Sequence, residues 1–172
     1  DAADVGAMTT LQISKLTTDQ VNNLSSAQIQ AITTAALSNL STDQLSALAS
    51  NVNCLQALTS TQVKALTSTQ ISNLTTNQLK ALTTANVAAL SSGQVASLTT
   101  AAQVSALTTT QVAALGSDQI VALTTDQLTA LTTAQVQSFK VDHVTALSTE
   151  DVSKLSTAQL NALTTTNFAA LS

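Results

Sequence analysis

Two residues of this chain carry side chains suited to catalysis or metal binding, a single cysteine at position 54 and a single histidine at position 143. His143 follows Asp142, and a carboxylate and an imidazole beside abundant hydroxyls could on paper form a hydrolytic triad. With so many serines and threonines that pattern has almost no specificity. The sequence offers no second histidine, and no cysteine lies near His143 at metal-ligand spacing. We therefore expect no catalytic residue, no metal site and no cofactor, and the chain is not predicted to be an enzyme.

The composition argues against several kinds of partner. Charged residues make up 8% of the 172 residues, and the formal net charge is −4. The five lysines are scattered singly and arginine is absent, so no basic stripe is available for phosphates. Only two aromatic residues occur, and no apolar run reaches the length of a membrane span. The sequence therefore predicts neither a nucleic-acid partner nor a membrane span.

Nearly all of the chain is an eight-residue repeat of the approximate form L-T-T-x-Q-V-x-A. Residues 8–172 contain 20 such units, and residues 1–7 form the one segment outside the pattern. Two units are irregular, because 48–57 has ten residues and 98–106 has nine. We predict one repeat array with a non-repeat N-terminal segment.

The period of eight residues favours short helices that restart in every unit. A continuous helix would wind its apolar stripe around the axis, and alternating strands would place the two apolar positions on opposite faces. Serine or threonine stands three residues before glutamine, which is the capping-box pattern of a helix start. One octad buries too little apolar surface to offset the entropy of ordering it, so neighbouring units must stack. The predicted fold is an all-α solenoid of short capped helices, with a β-solenoid as the alternative.

Glutamine occupies the third position after the capping hydroxyl in 14 of the 20 units. A helix cap is the favoured role of this row, ahead of a ligand-binding ladder. His143 stands at the same position, and a substituted cap is favoured there over a catalytic base. For Cys54 a buried small residue is favoured over an intermolecular bridge.

The octads resemble a known class of repeat. The units Leu123–Ala130 and Leu131–Val136, which begin Leu-Thr-Thr-x-Gln, are similar to the octapeptide arrays of very large bacterial secreted and cell-surface proteins, often adhesin-like. The resemblance implies an extracellular or cell-surface location and a structural or adhesive role. It implies no catalytic residues.

The array is also expected to associate with itself. It does not finish on a polar capping unit, and terminal repeats normally need a distinct soluble face. Either the chain is a piece of a longer array, or its open end meets another copy head to tail, a contact that propagates into a filament unless it closes into a ring. The residues proposed to form these ends are Asp1, Val5, Met8, Phe168 and Leu171.

Two functions are consistent with this organisation. The first is a structural extracellular protein, the subunit of a filament or of a rigid surface stalk. The alternative is an adhesin-type binding module that presents a Thr-rich repetitive surface to a glycan, a protein or ice. Capping uses at least one hydroxyl per unit, so the alternative depends on the remaining threonines.

Overall fold

The computed structural model describes residues 1–99 and 101–171. It is 71% helical, and no strand occurs in the described residues, so the all-α prediction is confirmed and the β-solenoid alternative is wrong. The 21 helices found there have five to nine residues each. They are α1 (Ala2–Ala7), α2 (Thr10–Ser14), α3 (Thr18–Asn22), α4 (Ser26–Ala31), α5 (Thr34–Ser38), α6 (Thr42–Ser50), α7 (Val52–Ala57), α8 (Ser60–Ala65), α9 (Ser68–Ser72), α10 (Thr76–Ala81), α11 (Thr84–Ala89), α12 (Ser92–Ala96), α13 (Ala101–Ala106), α14 (Thr109–Ala114), α15 (Ser117–Val121), α16 (Thr125–Ala130), α17 (Thr133–Gln137), α18 (Val141–Ala146), α19 (Thr149–Lys154), α20 (Thr157–Ala162) and α21 (Thr165–Ala169).

Many of the corners between helices contain two consecutive extended residues. Leu66 ends α8 with φ −60° and ψ 143°, and Thr67 begins α9 with φ −73° and ψ 156°. No residue of the described part has a positive φ, so these corners need neither glycine nor proline. A leucine followed by threonine or serine turns the chain in most units, while Gly116 and Lys140 take the second place at two corners.

The helices stack with a period of three. The chain divides into two compact units, Asp1–Leu90 and Ser91–Ser172. In the first, α1 packs against α4 and α2 against α5; in the second, α12 packs against α15 and α17 against α20. Each unit is therefore a solenoid in which three successive helices make one coil.

Two apolar positions of the octad form the core of each unit. The fourth helical residue, which we call the core position, is almost completely buried, as in Val63, Val87 and Val136. The leucine that starts each octad, which we call the corner position, is buried to a similar degree, as in Leu90 and Leu131. Because both lie on the inner side of a coil, stacking coils joins them into one apolar core per unit.

A longer helix accommodates the first irregular unit. In 48–57, α6 is extended to nine residues, and Asn51 both ends α6 and caps α7. The second irregular unit, 98–106, includes residue 100, which lies outside the described residues. Residues 1–7, outside the predicted array, contain α1 with its capping residue Asp1, whose carboxylate accepts a hydrogen bond from the Asp4 N–H. The boundary after residue 7 stays a prediction.

Candidate functional site

The third residue of each helix, which we call the N3 slot, is the polar position that recurs along the array. In α17 it is Gln135, whose Oε1 accepts the backbone N–H of Thr132 at 2.7 Å. The Thr132 hydroxyl in turn accepts the Gln135 N–H at 3.2 Å. This reciprocal pair is a capping box, and the predicted cap function of the glutamine row is confirmed here.

The other end of the same amide makes a second bond, which the sequence interpretation missed. Gln135 Nε2 donates to the carbonyl of Leu107 at 2.6 Å and to that of Val104 at 3.0 Å, both in the preceding coil. Gln159 Nε2 reaches the Leu131 carbonyl at 2.8 Å, again 28 residues back. One glutamine therefore caps its own helix and also ties its coil to a corner of the coil before.

The same inter-coil bond recurs in both units. Its acceptor is the carbonyl at the corner position, and the separation rises from 28 to 30 residues across the ten-residue unit. Further donor and acceptor pairs are Gln44 with Leu16, Gln62 with Ile32, Gln70 with Leu40 and Gln127 with Leu98.

His143 fills the N3 slot of α18 and reproduces both bonds of a glutamine. Its Nδ1 lies 3.3 Å from the backbone N–H of Lys140, and its Nε2 lies 2.8 Å from the Leu115 carbonyl. The tautomer that satisfies both partners is the neutral imidazole with its proton on Nε2. Phe139 meets the ring edge to face, with centroids 5.6 Å apart. His143 is buried, and its role as a structural replacement for glutamine explains all of these contacts.

The pKa of His143 is lowered from its ordinary value. Burial is the main cause, because the cation loses its hydration, and the nearby Lys140 adds to it. The hydrogen bond to the Leu115 carbonyl and the charge of Asp142 act in the opposite direction. The neutral form required by the two hydrogen bonds is therefore the form that burial favours.

Cys54 occupies the N3 slot of α7, in the enlarged unit. Its Sγ lies 3.1 Å from the carbonyl of Leu24, the corner position one coil earlier. Burial raises the pKa of the thiol, which keeps it protonated and able to donate. Cys54 thus lies in the interior, as predicted. Its shorter side chain makes the same inter-coil contact that a glutamine makes at this slot in other coils.

Several N3 slots of the described residues lack one or both of these bonds. Ala36 has no polar side-chain atom. Asp151 accepts the Ser148 N–H at 3.0 Å, but its carboxylate has no proton to donate to a neighbouring coil. Asn86 is buried, and its Nδ2 has no hydrogen-bond partner in the described part of the chain. Asn167, by contrast, reaches the Phe139 carbonyl at 2.7 Å.

Of the five residues proposed as assembly ends, Asp1 caps α1, Val5 lies in α1 and Phe168 in α21, and Met8 and Leu171 lie in the corners that follow these helices. Asp1 is exposed, Met8 and Leu171 are half-buried, and Phe168 is 59% exposed. Val5 is buried within the first unit, so its side chain is covered by its own chain. Self-association through these ends stays a prediction.

The described residues contain no group of three His, Cys, Asp or Glu side chains placed to hold a metal ion. None of the helices resolved in residues 1–99 and 101–171 has the length and apolar character needed to cross a bilayer.

The sequence did hold a signal for the inter-coil bond. A capping box is satisfied by glutamate as well as by glutamine. Yet the 20 slots contain 14 glutamines and no glutamate. A preference for the amide over the carboxylate indicates that a donor is needed at this position.

A comparison with protein families gives a match along most of the chain. The ALTTAQ repeat is found in residues 1–34, 72–100, 100–125, 114–141 and 142–172. Its six-letter core stands unchanged from Ala130 to Gln135, where it includes the corner leucine, the capping threonine and the N3 glutamine. No curated protein matches the sequence significantly.

Proposed function

Because the chain belongs to the ALTTAQ repeat family, we propose that it is a structural protein of the extracellular space or cell surface, the subunit of a filament or of a rigid stalk. The observation that carries the proposal is the inter-coil bond. The recurring polar side chains of the array hold one coil on the next. Repetition of one such unit produces length and stiffness, which are mechanical properties.

The surface is consistent with this role. The positions around each cap carry mainly serine, threonine and alanine, and only 8% of all residues are charged. The resemblance to bacterial secreted and surface arrays supports the proposed location. A surface of uncharged hydroxyl groups suits a protein whose function is to span a distance rather than to bind a specific ligand.

Microscopy tests the filament directly. Electron microscopy and light scattering on the same purified sample should show fibres with a regular axial repeat. Monomers at all concentrations would rule out the filament and leave the stalk.

Single-molecule force spectroscopy tests the mechanical role itself. Pulling on the two termini separates coils one after another, so the rupture force depends on the inter-coil bonds. Replacing Gln127 and Gln135 by glutamate keeps the oxygen that accepts the capping hydrogen bond and removes the amide that donates to the preceding coil. We therefore expect a lower rupture force for the coils that contain these two residues. The matched control replaces the exposed Gln30 and Gln137 by glutamate. Equal forces for the two double variants would overturn the mechanical proposal.

A second candidate, the adhesin-type binding module, is favoured by one feature. The first helical residue is often an exposed threonine that the cap does not use, as in Thr18, Thr125 and Thr133. Replacing these three by serine keeps the hydroxyls and removes the methyl groups. If the surface binds a glycan or ice, the variant should lose signal on a glycan array or in ice-recrystallisation assays while its helical circular dichroism is unchanged. Unchanged binding, or no binding by either protein, would reject this candidate.

A further inference from the structure

In the first compact unit, four successive helices bind the coil before them through the N3 slot. The side chains are Gln44 in α6, Cys54 in α7, Gln62 in α8 and Gln70 in α9. Each donates to the carbonyl at a corner position, and the three glutamine bonds are 2.6, 2.8 and 2.9 Å long. The next two helices, α10 and α11, do not follow this pattern.

The N3 slot of α10 holds Gln78, whose regular acceptor is already used. The separation of 30 residues found across the ten-residue unit places Leu48 opposite Gln78. Leu48 lies inside the lengthened helix α6, however, and its carbonyl accepts the backbone N–H of Asn51 at 3.3 Å. Within the described residues, Gln78 Nε2 reaches the Ser46 carbonyl, at 3.4 Å and in an exposed position. That distance lies beyond the usual range of N–H···O bonds, so the bond at α10 is weak.

The N3 slot of α11 holds Asn86, which makes no inter-coil bond. The regular separation of 28 residues places the Leu58 carbonyl opposite this slot. Asn86 is buried, and its Nδ2 has no hydrogen-bond partner in the described part of the chain. Asn167 does reach its corner carbonyl in α21, so the defect at Asn86 belongs to the fit of α11 on α8. A buried donor without an acceptor has lost its hydration, and it therefore destabilises the closed arrangement of these two helices.

A cavity lies beside the same helices. Its volume is about 210 Å³, and it is bounded by the end of α6, the start of α7 and α10. Its walls include Ala49, Ser50, Val52, Thr75 and Ala81. Val52 begins α7, where most of the helices begin with serine or threonine, and it is 49% exposed. The lengthened α6 thus leaves the packing of α10 on α7 incomplete.

Apolar packing remains between these helices. α7 packs against α10 and α8 against α11. The core positions Leu55 and Val63 on one side, and Leu79 and Val87 on the other, are at most 1% exposed. Apolar contacts are not directional, whereas a hydrogen bond to a corner carbonyl requires one register. The contact of α10–α11 with α7–α8, which we call the weak joint, therefore lacks the N3 bonds that strengthen the joints before it.

We propose that the weak joint is the place where the first unit opens locally, while α6 to α9 stay bound to the coils before them. Opening there breaks one weak inter-coil bond and gives the Asn86 amide access to water. Opening at α8 or α9 would instead break bonds of 2.8 and 2.9 Å. The inference goes beyond the proposed structural function and does not depend on it, because local opening is a property of a single chain in solution.

Hydrogen exchange of the full chain, measured by mass spectrometry on peptides that cover single helices, tests the weak joint. Helices of five or six residues are not stable once their packing is lost, so a released helix exchanges its amide hydrogens. The N–H groups of Leu79 and Val87 donate to their capping residues at 2.9 and 3.0 Å, and those of Val63 and Ile71 do so at 2.9 and 3.0 Å. Because these local bonds match, a difference in exchange reports the opening of a joint. After correction for intrinsic rates, α10 and α11 should exchange at least about tenfold faster than α8 and α9.

The variant Asn86→Gln tests the cause. A glutamine at this slot can cap Thr83 and donate to the Leu58 carbonyl, as Gln62 does with Thr59 and Ile32. One restored hydrogen bond should slow the exchange of α11 by about tenfold. The matched control is Asn53→Gln, the same change at an exposed residue of α7, which should alter exchange by less than about twofold.

Three results would overturn the inference. Equal exchange of α8, α9, α10 and α11 in the parent protein would show that no weak joint exists, and this comparison needs no variant. Uniformly fast exchange across all helices of the first unit would mean that opening is not local. An effect of Asn86→Gln no larger than that of Asn53→Gln would show that the missing donor is not the cause. The filament and the stalk are tested separately, by microscopy and by force.

Discussion

At the scale of single residues, glutamine is used at the N3 slot because it is both an acceptor and a donor. Oε1 satisfies a backbone N–H that every helix start leaves without a partner, and Nε2 satisfies a carbonyl that the preceding corner leaves exposed to the core. Glutamate could make only the first bond. His143 and Cys54 keep the second bond, the one to the preceding coil. This explains why the two residues that seemed suited to catalysis or metal binding lie in the interior of a repeat.

Removing one such amide should cost considerably more than removing a surface amide. In Gln135→Leu, the Leu107 carbonyl and the Thr132 N–H lose their partners, and we expect the free energy of unfolding to fall by about 1–3 kcal/mol. Urea denaturation measures the change. Gln137→Leu, at an exposed position of the same helix, is the control and should change stability by less than about 0.5 kcal/mol. Equal losses in the two variants would show that the inter-coil bond contributes nothing.

His143 should make stability depend on pH. Its pKa is lowered in the folded protein, so between the folded value and the ordinary value of about 6.5 the unfolded chain binds more protons. Stability is therefore complete above pH 6.5 and is lost as the pH falls through that window. Protonation also removes the acceptor at Nδ1 that faces the Lys140 N–H.

The variant His143→Gln checks this, because glutamine makes both bonds without titrating. The parent protein should lose thermal stability as the pH falls below about 6.5, and the variant should lose distinctly less. The other titratable groups near the ring are Lys140 and Asp142 beside it and Asp118 on the adjacent α15, while α21 has none. Identical pH profiles for the two proteins would assign the effect to groups other than His143.

Asp151 is a position where a substitution should stabilise the protein. The register of 28 residues places the Leu123 carbonyl opposite this slot, and a carboxylate cannot donate to it. Asp151→Gln restores the donor and keeps the cap, and we expect a gain of about 0.5–1.5 kcal/mol in the free energy of unfolding. The exposed neighbour Glu150 provides the matched control, since Glu150→Gln removes the same charge without adding an inter-coil donor. A gain of equal size in the control would mean that charge alone is responsible.

At the scale of elements, each helix is too short to be stable in isolation. The residues at its two ends determine where it begins and where it stops. A capping residue starts the helix, and the extended leucine that follows ends it, as at Leu131 with φ −61° and ψ 134°. Tertiary packing supplies the rest, because isolated helices of five or six residues are not stable in water. The octad is therefore the smallest exchangeable element of this fold.

Deleting a complete octad should be tolerated, whereas deleting half of one should not. Without residues 123–130, α17 becomes the third helix after α13 and can stack on it as α16 does now. Without residues 123–126, the unit loses its corner leucine and its cap, and we expect stability to fall by more than about 3 kcal/mol. Circular dichroism and urea denaturation of the two deletion proteins make the comparison. Equal destabilisation would show that the units are not interchangeable.

At the scale of the whole molecule, the array has polar bonds between coils and an apolar core within them. Self-association of copies stays a proposal, and microscopy tests it.

Much of the local structure could be predicted from the residues. The row from Thr124 to Gln127 specifies a capped helix start, and Leu128 and Leu131 mark its buried side, so the all-α fold and the repeated helices followed directly. The corners do not depend on glycine or proline, because residues such as Leu131 and Thr132 turn the chain with ordinary extended backbone. The cap function of the glutamines was predicted correctly, and the buried location of Cys54 was as well.

The sequence by itself determined what each octad does locally, because capping and burial depend on residues three to five positions apart. The tertiary structure alone decided that three helices complete a coil, and hence that Gln135 meets Leu107. Because the units are equivalent in sequence, no residue identifies the residue 28 positions away that it will contact. The partner is set by the rotation that accumulates over three corners, and small differences in backbone angles at each corner determine that rotation.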